Sequence, residues 1–412
     1  MLTAEIIAVG SELLTPEKTD TNSLWLTEKL NDIGIEVMLK TIVGDDEARL
    51  EEAFRDALKR ADVVISTGGL GPTEDDITRQ VAARAVDRKL VYHEEIEEIL
   101  RERFKNWGRE MPESNKRQAW AIEGAEILPN PNGSAAGMML MPGDKFLVLL
   151  PGPPRENQPM FTDFVYARLK EAAGNVCVRR RLLRVVGMGE SALDERIAPL
   201  YTTRKDVQTS ILFNRTEVEV HLSSKSGSAD AAQKAVDELA DEIIKELGAA
   251  VFSTHGETME EVVGEMLASR GKTLSVAESC TGGLIAMRLT EIAGSSRYFM
   301  EGVVSYSNDA KVRTLNVPAE ILEKHGAVSA ETAEAMARGM RDRAKTDYAI
   351  SVTGIAGPDG GTDEKPVGTV FIGFADDGAC RSMKFTFPGD RYLIRWRASQ
   401  AALDLLRRQM LR

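Results

Sequence analysis

Ala277-Glu278-Ser279-Cys280-Thr281-Gly282-Gly283-Leu284 is the stretch on which the reading of the fold turns. A short apolar run, Thr273 to Ala277, leads into it, and an amphipathic segment, Leu284 to Ala293, leads out. A strand that stops in a hydroxyl-rich turn, with two glycines opening a helix, is anion-binding geometry. The first N–H groups of a helix have no intrahelical partner, and glycine lets a ligand approach the backbone closely. Ser279 occupies the place of a nucleophile on a strand-to-helix turn. Serine and threonine before a helix are more often plain N-caps, so the stretch has to be weighed with others.

Three later stretches share its character. Ser305-Tyr306-Ser307-Asn308-Asp309-Ala310-Lys311 follows the strand-like Gly302 to Val304. Ser351-Val352-Thr353-Gly354-Ile355-Ala356-Gly357-Pro358-Asp359-Gly360-Gly361 overlaps the end of the strand-like Tyr348 to Val352, and Lys365-Pro366-Val367-Gly368-Thr369-Val370 leads into a further strand. In an open α/β sheet, loops at the carboxyl ends of the strands converge on one crevice. In this order the four segments resemble the nicotinamide-nucleotide deamidase domain of the competence/damage-inducible protein A (CinA) family, over residues 258–412.

Deamidation of a nucleotide-borne carboxamide needs a nucleophile, a group that manages protons and donors for the oxyanion. Ser279 is the candidate nucleophile, and the resemblance implies the same role for it. Cys280 is adjacent and intrinsically more nucleophilic, but neighbours in an extended turn point different ways, so only one can face the site. No histidine is placed to act as base. Lys311 is the candidate instead, and a lysine serves only if burial or a neighbouring cation lowers its pKa. Read without the resemblance, Lys311 is a solvated helix lysine; the family pattern pairs it with a tyrosine, here Tyr306. For the substrate, Thr281, Gly282, Gly283, Thr353 and Gly354 could supply donors and Arg391 charge for a phosphate, with Ser305, Asn308 and Gly357 as further binding positions. This half is expected to need no cofactor.

The chain opens with a strand-like Thr3 to Val9, the turn Gly10-Ser11-Glu12-Leu13-Leu14, and a helix begun by Thr21-Asn22-Ser23 and ended at Gly34. A strand over Glu36 to Val43, a helix from Asp45-Asp46 to about Arg60 and a strand over Ala61 to Thr67 complete a β-α-β-α-β order, which implies a largely parallel sheet. That last strand ends in Gly68-Gly69-Leu70-Gly71-Pro72-Thr73-Glu74-Asp75-Asp76-Ile77-Thr78. It is neither a Walker loop nor a dinucleotide fingerprint, yet its N–H groups could cradle phosphate. Asp75 and Asp76 could hold a hard divalent cation bridging phosphate oxygens. The bland reading is a glycine turn with acidic residues favoured by the helix dipole. This region, residues 3–165, resembles the molybdopterin-binding-like domain that opens CinA proteins, including Thr21-Asn22, Asn132-Gly133-Ser134-Ala135 and the strand that runs into Leu150-Pro151-Gly152-Pro153-Pro154-Arg155-Glu156.

In that family the domain is associated with metal-dependent hydrolysis of ADP-ribose. The resemblance implies Gly68, Gly69, Gly71, Thr73, Asn22 and Glu12 as substrate positions, and Asp75 and Asp76 as ligands of a Mg- or Co-type ion, with K as a further cation. Thr15-Pro16 follows Leu13-Leu14 where many relatives have a glycine, a departure in a loop expected to line the site.

Between the two, Glu94 to Trp107 reads as an acidic helix with a solvated face, and Asn115-Lys116-Arg117-Gln118 as the start of another. Arg180 to Val186, a helix opened by Gly189-Glu190-Ser191, the alternating Val218 to Leu222 and the helix Ser228 to Leu247 resemble the KH-like middle domain of the same family. An RNA-binding KH module needs a GxxG loop with basic neighbours; Gly187-Met188-Gly189-Glu190 is not one, so a spacer is expected. The expected architecture is α/β, with domains at 1–168, 169–252 and 253–412.

With 412 residues, 43% hydrophobic and 28% charged, the composition is that of a globular chain with real cores. The N-terminus lacks the basic region and cleavage site of a signal peptide. A net charge of −12 disfavours nucleic acid as a partner. Three isolated cysteines, Cys177, Cys280 and Cys380, fit a reducing cytoplasm, and no apolar run approaches a membrane span. The four histidines, His93, His221, His255 and His325, form no ligand pair. The expectation is a homodimeric hydrolase of nicotinamide mononucleotide and ADP-ribose. Its rivals are a molybdopterin-handling protein and a non-enzymatic partner in DNA uptake.

Overall fold

In the computed structural model residues 2–174 and 176–411 are described. The chain separates into two compact units: Met1–Arg179 with Ser224–Gln233, and Arg180–Ser223 with Lys234–Arg412.

The first unit begins β1 (Thr3–Val9), α1 (Asn22–Asp32), β2 (Glu36–Val43), α2 (Glu47–Arg60), β3 (Val63–Thr67) and α3 (Thr78–Ala85). The β1 run TAEIIAV is buried almost throughout because helices cover both faces of the sheet. Asp46 caps α2 by accepting from the Arg49 N–H at 2.9 Å, and Leu50, Phe54 and Ala57 then recur on its buried face. After β4 (Leu90–Tyr92) comes the acidic α4 (Glu94–Asn106), which buries only Ile96 and Leu100. Asn115 to Gln118 belongs to a 3-10 element, Glu113–Ala119, rather than to an α-helix. There the buried Asn115 donates to the side chain of Gln118, which donates to the Leu70 carbonyl. Then follow β5 (Trp120–Ile122), β6 (Glu126–Leu128), β7 (Gly137–Leu140), β8 (Phe146–Leu150), α5 (Pro154–Met160) and α6 (Tyr166–Ala173). The main sheet has the order β2-β1-β3-β8-β7-β6, parallel from β2 to β8 and antiparallel beyond.

The middle module runs β9 (Cys177–Val185), α7 (Glu190–Tyr201), β10 (Gln208–Asn214), β11 (Glu217–Ser226), α8 (Ala229–Leu247) and β12 (Val251–Ser253). Its sheet order is β10-β11-β9-β12. Leu183, Val185, Val218 and Val220 on one face pack with Leu193 and Ile197 of α7 and Leu239 and Ile243 of α8.

The last module starts with α9 (Met259–Ser269), opened by a capping box of Thr258 and Glu261. It continues β13 (Leu274–Glu278), α10 (Leu284–Thr290), β14 (Phe299–Val304), α11 (Asn308–Leu315), α12 (Ala319–His325) and α13 (Ala330–Ala344). It closes with β15 (Tyr348–Gly354), β16 (Thr369–Ala375), β17 (Cys380–Thr386) and α14 (Arg391–Met410). The sheet order is β14-β13-β15-β16-β17, with the first three strands parallel and the last two antiparallel to their neighbours. Helix α13 crosses one face so closely that Gly373 has no room for a Cβ, which would lie 2.4 Å from the Ala333 carbonyl oxygen.

Both sheets carry the same clip. In the first unit the Thr3 N–H and hydroxyl donate to one Asp62 carboxylate oxygen at 2.8 and 3.0 Å, tying the start of β1 to the start of β3. In the second, Thr273 does the same to Asp347, at 2.8 Å for both bonds, tying the start of β13 to the start of β15. At the other end of each pair the chain leaves to opposite sides, so a crevice opens between β1 and β3 and between β13 and β15.

Burial alone would raise the Asp347 carboxyl, but the Lys272 ammonium and the two Thr273 donors outweigh it and hold it at about 2. Its contribution to stability is therefore full above the ordinary carboxyl value near 4 and is lost as pH falls through about 2. Denaturant unfolding of Asp347→Ala at neutral pH is expected to show a loss on the order of 1–2 kcal/mol. Between about pH 4 and pH 2 the difference from wild type is expected to shrink, measured as unfolding midpoint against pH.

Candidate active site

The turn after β13 is fixed from both sides. The Ser279 N–H donates to the Val352 carbonyl of β15 at 2.9 Å, and the Ser305 N–H donates to the Glu278 carbonyl at 2.8 Å. Glu278 is fully buried, and its carboxylate accepts from the N–H groups of Gly283, Ile285 and Ala286 at 3.0, 3.2 and 2.9 Å. The anion at the N-terminus of α10 is thus the protein's own side chain. The Gly283 N–H, expected from the sequence to serve a substrate, is already engaged. Gly282 and Gly283 have φ of 62° and 91°, which only glycine adopts without strain. The N–H groups of Cys280 and Thr281, by contrast, make no hydrogen bond among the described residues.

Lys311 is buried rather than solvated, with 1% of its surface exposed. Its position follows from α11, where the Ser307 hydroxyl caps the helix and Lys311 and Leu315 are its buried residues, one turn apart. The Lys311 Nζ lies 3.0 Å from the Ser305 carbonyl oxygen, 3.2 Å from the Tyr306 carbonyl oxygen and 3.2 Å from Ser279 Oγ. Among the described residues no carboxylate pairs with it. Burial therefore lowers its pKa, the effect of removing an ammonium from water without a counter-ion. In the neutral amine two N–H bonds serve the two carbonyls, and the lone pair is left for the Ser279 hydroxyl proton.

Cys280 faces the other way. Its side chain belongs to the apolar core with Val352 and Ile394, and desolvation pushes its thiol up to about 12. It is a protonated thiol at neutral pH, whereas only the thiolate is a strong nucleophile.

The other expected residues divide. Tyr306 is 61% exposed; it reaches Lys311 through its carbonyl, while its hydroxyl accepts from Arg391 at 3.0 Å. Arg391 also donates to the Gly357 carbonyl at 2.7 Å, so it joins two loops of the crevice rim. Thr353 is buried and donates its hydroxyl to the Ala327 carbonyl at 2.6 Å, and Gly354 lies against Val370 and Thr369 with no room for a Cβ. Asn308 is exposed in the first turn of α11. The buried hydroxyls of Thr281 and Ser305 have no hydrogen-bond partner among the described residues. Arg395, not anticipated from sequence, donates Nε and Nη2 to the Thr281 carbonyl at 3.2 and 2.7 Å, holding the Ser279 turn from one helical turn beyond Arg391.

The first unit has a cavity of about 330 Å³ at its own crevice, lined by Gly10, Glu12, Gly68, Gly69, Gly71, Asp75 and Asp76, with Asp45 and Glu156 as further carboxylates. A Cβ on Gly68 would sit 2.2 Å from the Val9 carbonyl oxygen, so glycine is required where β1 and β3 part. The N–H groups of Gly69, Leu70 and Gly71 have no partner among the described residues. Asp76 accepts from the N–H and hydroxyl of Thr73 at 2.8 and 2.5 Å. Arg117 bonds the Thr73 carbonyl and Glu74 and so braces the end of the loop. Asn22 donates to the Gly152 carbonyl at 2.6 Å and shapes the wall. The loop with the Thr15-Pro16 departure contributes Gly10 and Glu12 to the lining, not Thr15 or Pro16. Glu156, buried and accepting from Asn130 at 2.7 Å, lies in the proline-rich turn but has no local sequence signature of a site residue.

Three modules and a crevice with a serine beside a buried lysine define an α/β chain of composite type, and comparison with known proteins places it. Family models match in series: "Probable molybdopterin binding domain" over residues 5–171, "Damage-inducible protein CinA KH domain" over 180–253 and "CinA C-terminal domain" over 256–410. A CinA-like protein of Koribacter versatilis is 47% identical over 412 residues, covering 99% of this chain and 100% of that one. Another, of Solibacter usitatus, is 46% identical, covering 99% and 98%. The solved competence/damage inducible protein CihA of Agrobacterium tumefaciens is 41% identical over 37% of this chain and 94% of its own, with a TM-score of 0.36. The chain belongs to the CinA family.

Ser279 nucleophilicity is expected to require a neutral Lys311. Labelling by a fluorophosphonate is expected to rise with pH to a plateau reached below the ordinary lysine value of about 10.4. Lys311→Met is expected to abolish labelling without lowering the thermal midpoint, since it replaces a buried amine, whose charged form burial disfavours, with an apolar side chain of similar length. Labelling that survives in Lys311→Met would remove the lysine from this role.

Proposed function

We propose that the C-terminal module hydrolyses the carboxamide of nicotinamide mononucleotide, giving nicotinic acid mononucleotide and ammonia. The observation that carries this reading is the buried Lys311 Nζ, 3.2 Å from Ser279 Oγ and held by two backbone carbonyls. Ser279 Oγ attacks the carboxamide carbon while Lys311 takes the hydroxyl proton. The oxyanion is met by the N–H groups of Cys280 and Thr281, the first of them the residue after the nucleophile. As the C–N bond breaks, the Lys311 ammonium returns the proton to the departing nitrogen and ammonia leaves. Water then attacks the Ser279 ester with Lys311 again as base, and the acid departs as the serine recovers its proton. The sum is amide plus water to acid plus ammonia. Arg391 supplies charge at the crevice rim for the substrate phosphate.

The N-terminal module, in the same proposal, hydrolyses ADP-ribose to AMP and ribose 5-phosphate with a divalent cation. Its cavity offers oxygen donors throughout, which suits a hard cation. Among the described residues no three metal-ligating side chains cluster tightly enough to cage an ion. The residues that would hold such an ion are Asp75 and Asp76, with Glu156 as a further carboxylate, and so few protein ligands suit a Mg-type ion bound together with substrate phosphate. Bound there, such an ion would neutralise charge on the phosphate oxygens. The chain's own part is to receive those oxygens on the open N–H groups of Gly69, Leu70 and Gly71.

Ammonia release from nicotinamide mononucleotide without added metal tests the first half. Cys280→Ala is expected to keep activity within a few fold, and Ser279→Ala to lose about 10⁴-fold or more. No release by folded wild type, or full release by Ser279→Ala, would sink it. AMP formation from ADP-ribose tests the second half separately: Asp75→Asn is expected to lose at least about tenfold while Ser279→Ala keeps wild-type rate. The reverse pattern would remove the N-terminal assignment.

A further inference from the structure

The second unit contains a cleft of about 580 Å³ that neither proposed reaction uses. One wall is the turn between β9 and α7 together with Phe213 of β10; the other is β17, the following Phe387-Pro388 segment and one side of α14. Its volume lies within the range of small-molecule sites, roughly 300–1,000 Å³.

Two features give the cleft a chemistry. The first is aromatic. The Phe385 and Phe387 rings stack with centroids 5.3 Å apart and planes at 11°. Phe213 and Met383, both in the lining, are 50% and 47% exposed, so large apolar surfaces face an open space instead of each other. Leaving such surface in water is unfavourable, a cost that an apolar occupant would remove.

The second is charge. Arg397 and Arg408 line the cleft with a single carboxylate, Asp404. That carboxylate is already shared: it accepts from Nε and Nη2 of Arg407 at 2.9 and 2.7 Å and from Nε of Arg408 at 2.7 Å. Arg397 donates only to the Pro388 carbonyl among the described residues. Guanidinium N–H groups are therefore in surplus at the edge of an aromatic cleft, on a chain whose net charge is −12.

We propose that this cleft binds a small organic anion with a flat apolar body. The body lies against Phe213, Phe385 and Phe387, and the anionic group rests on Arg397 and Arg408. The assignment is independent of both proposed hydrolytic activities.

Calorimetric titration of the full chain with 8-anilinonaphthalene-1-sulfonate, and with the uncharged N-phenyl-1-naphthylamine, tests it. One saturable sulfonate site per chain is expected, with weaker binding of the neutral compound. Arg397→Gln combined with Arg408→Gln is expected to weaken the sulfonate by about tenfold or more and to leave the neutral compound unchanged. Phe213→Ser, a change at a half-exposed strand position, is expected to weaken both. Absence of a saturable site overturns the proposal, as does sulfonate affinity unchanged in all the variants. Sulfonate affinity that falls as protein concentration rises, with a dimer seen in sedimentation, would assign the cleft to a second copy and overturn it too.

Discussion

Two hydrogen bonds from Thr273 to Asp347 fix the near ends of β13 and β15, and the placement of everything at their far ends follows. Side chains alternate along a strand, so a slip of one residue would exchange the faces and turn Ser279 away from the crevice. With the near ends clipped, Glu278 pairs with Val352, and the chain leaves β13 at Ser279 with its N–H still bonded to the neighbouring strand. The first unit repeats the device with Thr3 and Asp62, and there the chain leaves β1 at Gly10 and β3 at Gly68. Two modules of different sequence thus open their crevices by one geometric rule.

Beside the second crevice, two buried ionisable side chains adjoin the same turn without pairing with each other. The Glu278 carboxyl oxygens accept from three N–H groups at the start of α10, and Lys311 Nζ lies within hydrogen-bond distance of two carbonyls and the Ser279 hydroxyl. Backbone groups, not each other, are their chief partners. Had the two formed a salt bridge, the carboxylate would have raised the lysine pKa and kept the amine protonated. Desolvation without a counter-ion lowers it instead, at a cost to stability that packing around the turn must offset. Arg395 contributes to that support by gripping the Thr281 carbonyl with two bonds, and the core position of Cys280 anchors the turn from beneath.

Much of this was legible in the sequence, and the remainder has physical reasons. The glycine-rich stretches at strand ends were readable because positive φ and close backbone approach leave few residue choices, as at Gly68 and Gly283. Lys311 is harder. Its neighbours Asn308 and Asp309 make α11 look solvated, and only the spacing to Leu315 hints that it points inward. Helix α13 went unread although Ala333, Met336, Ala337 and Met340 keep helical spacing, because small residues give a weak apolar signal. The roles of Glu278, Arg395 and Glu156 had no local signature. Each is defined by partners brought near only by folding, such as the Thr281 carbonyl more than a hundred positions from Arg395.

The two crevices also differ in a way that bears on their chemistry. Around the first, Glu12, Asp45, Asp75, Asp76 and Glu156 place carboxylates at the mouth, with backbone N–H groups as the chief donors. Such a lining repels a bare polyanion and accepts one only with its charge masked by a cation, as the proposed pyrophosphate reaction requires. Around the second, Lys311 is buried, Arg391 sits at the rim and the buried Glu278 carboxyl is withdrawn into the N-terminus of α10. In the proposed deamidation that arrangement leaves Arg391 for the substrate phosphate and a neutral amine to take a proton. Two sheets that open their crevices alike are therefore compatible with two different proposed reactions, because the charged groups at each crevice come from loop residues that the sheet itself does not constrain.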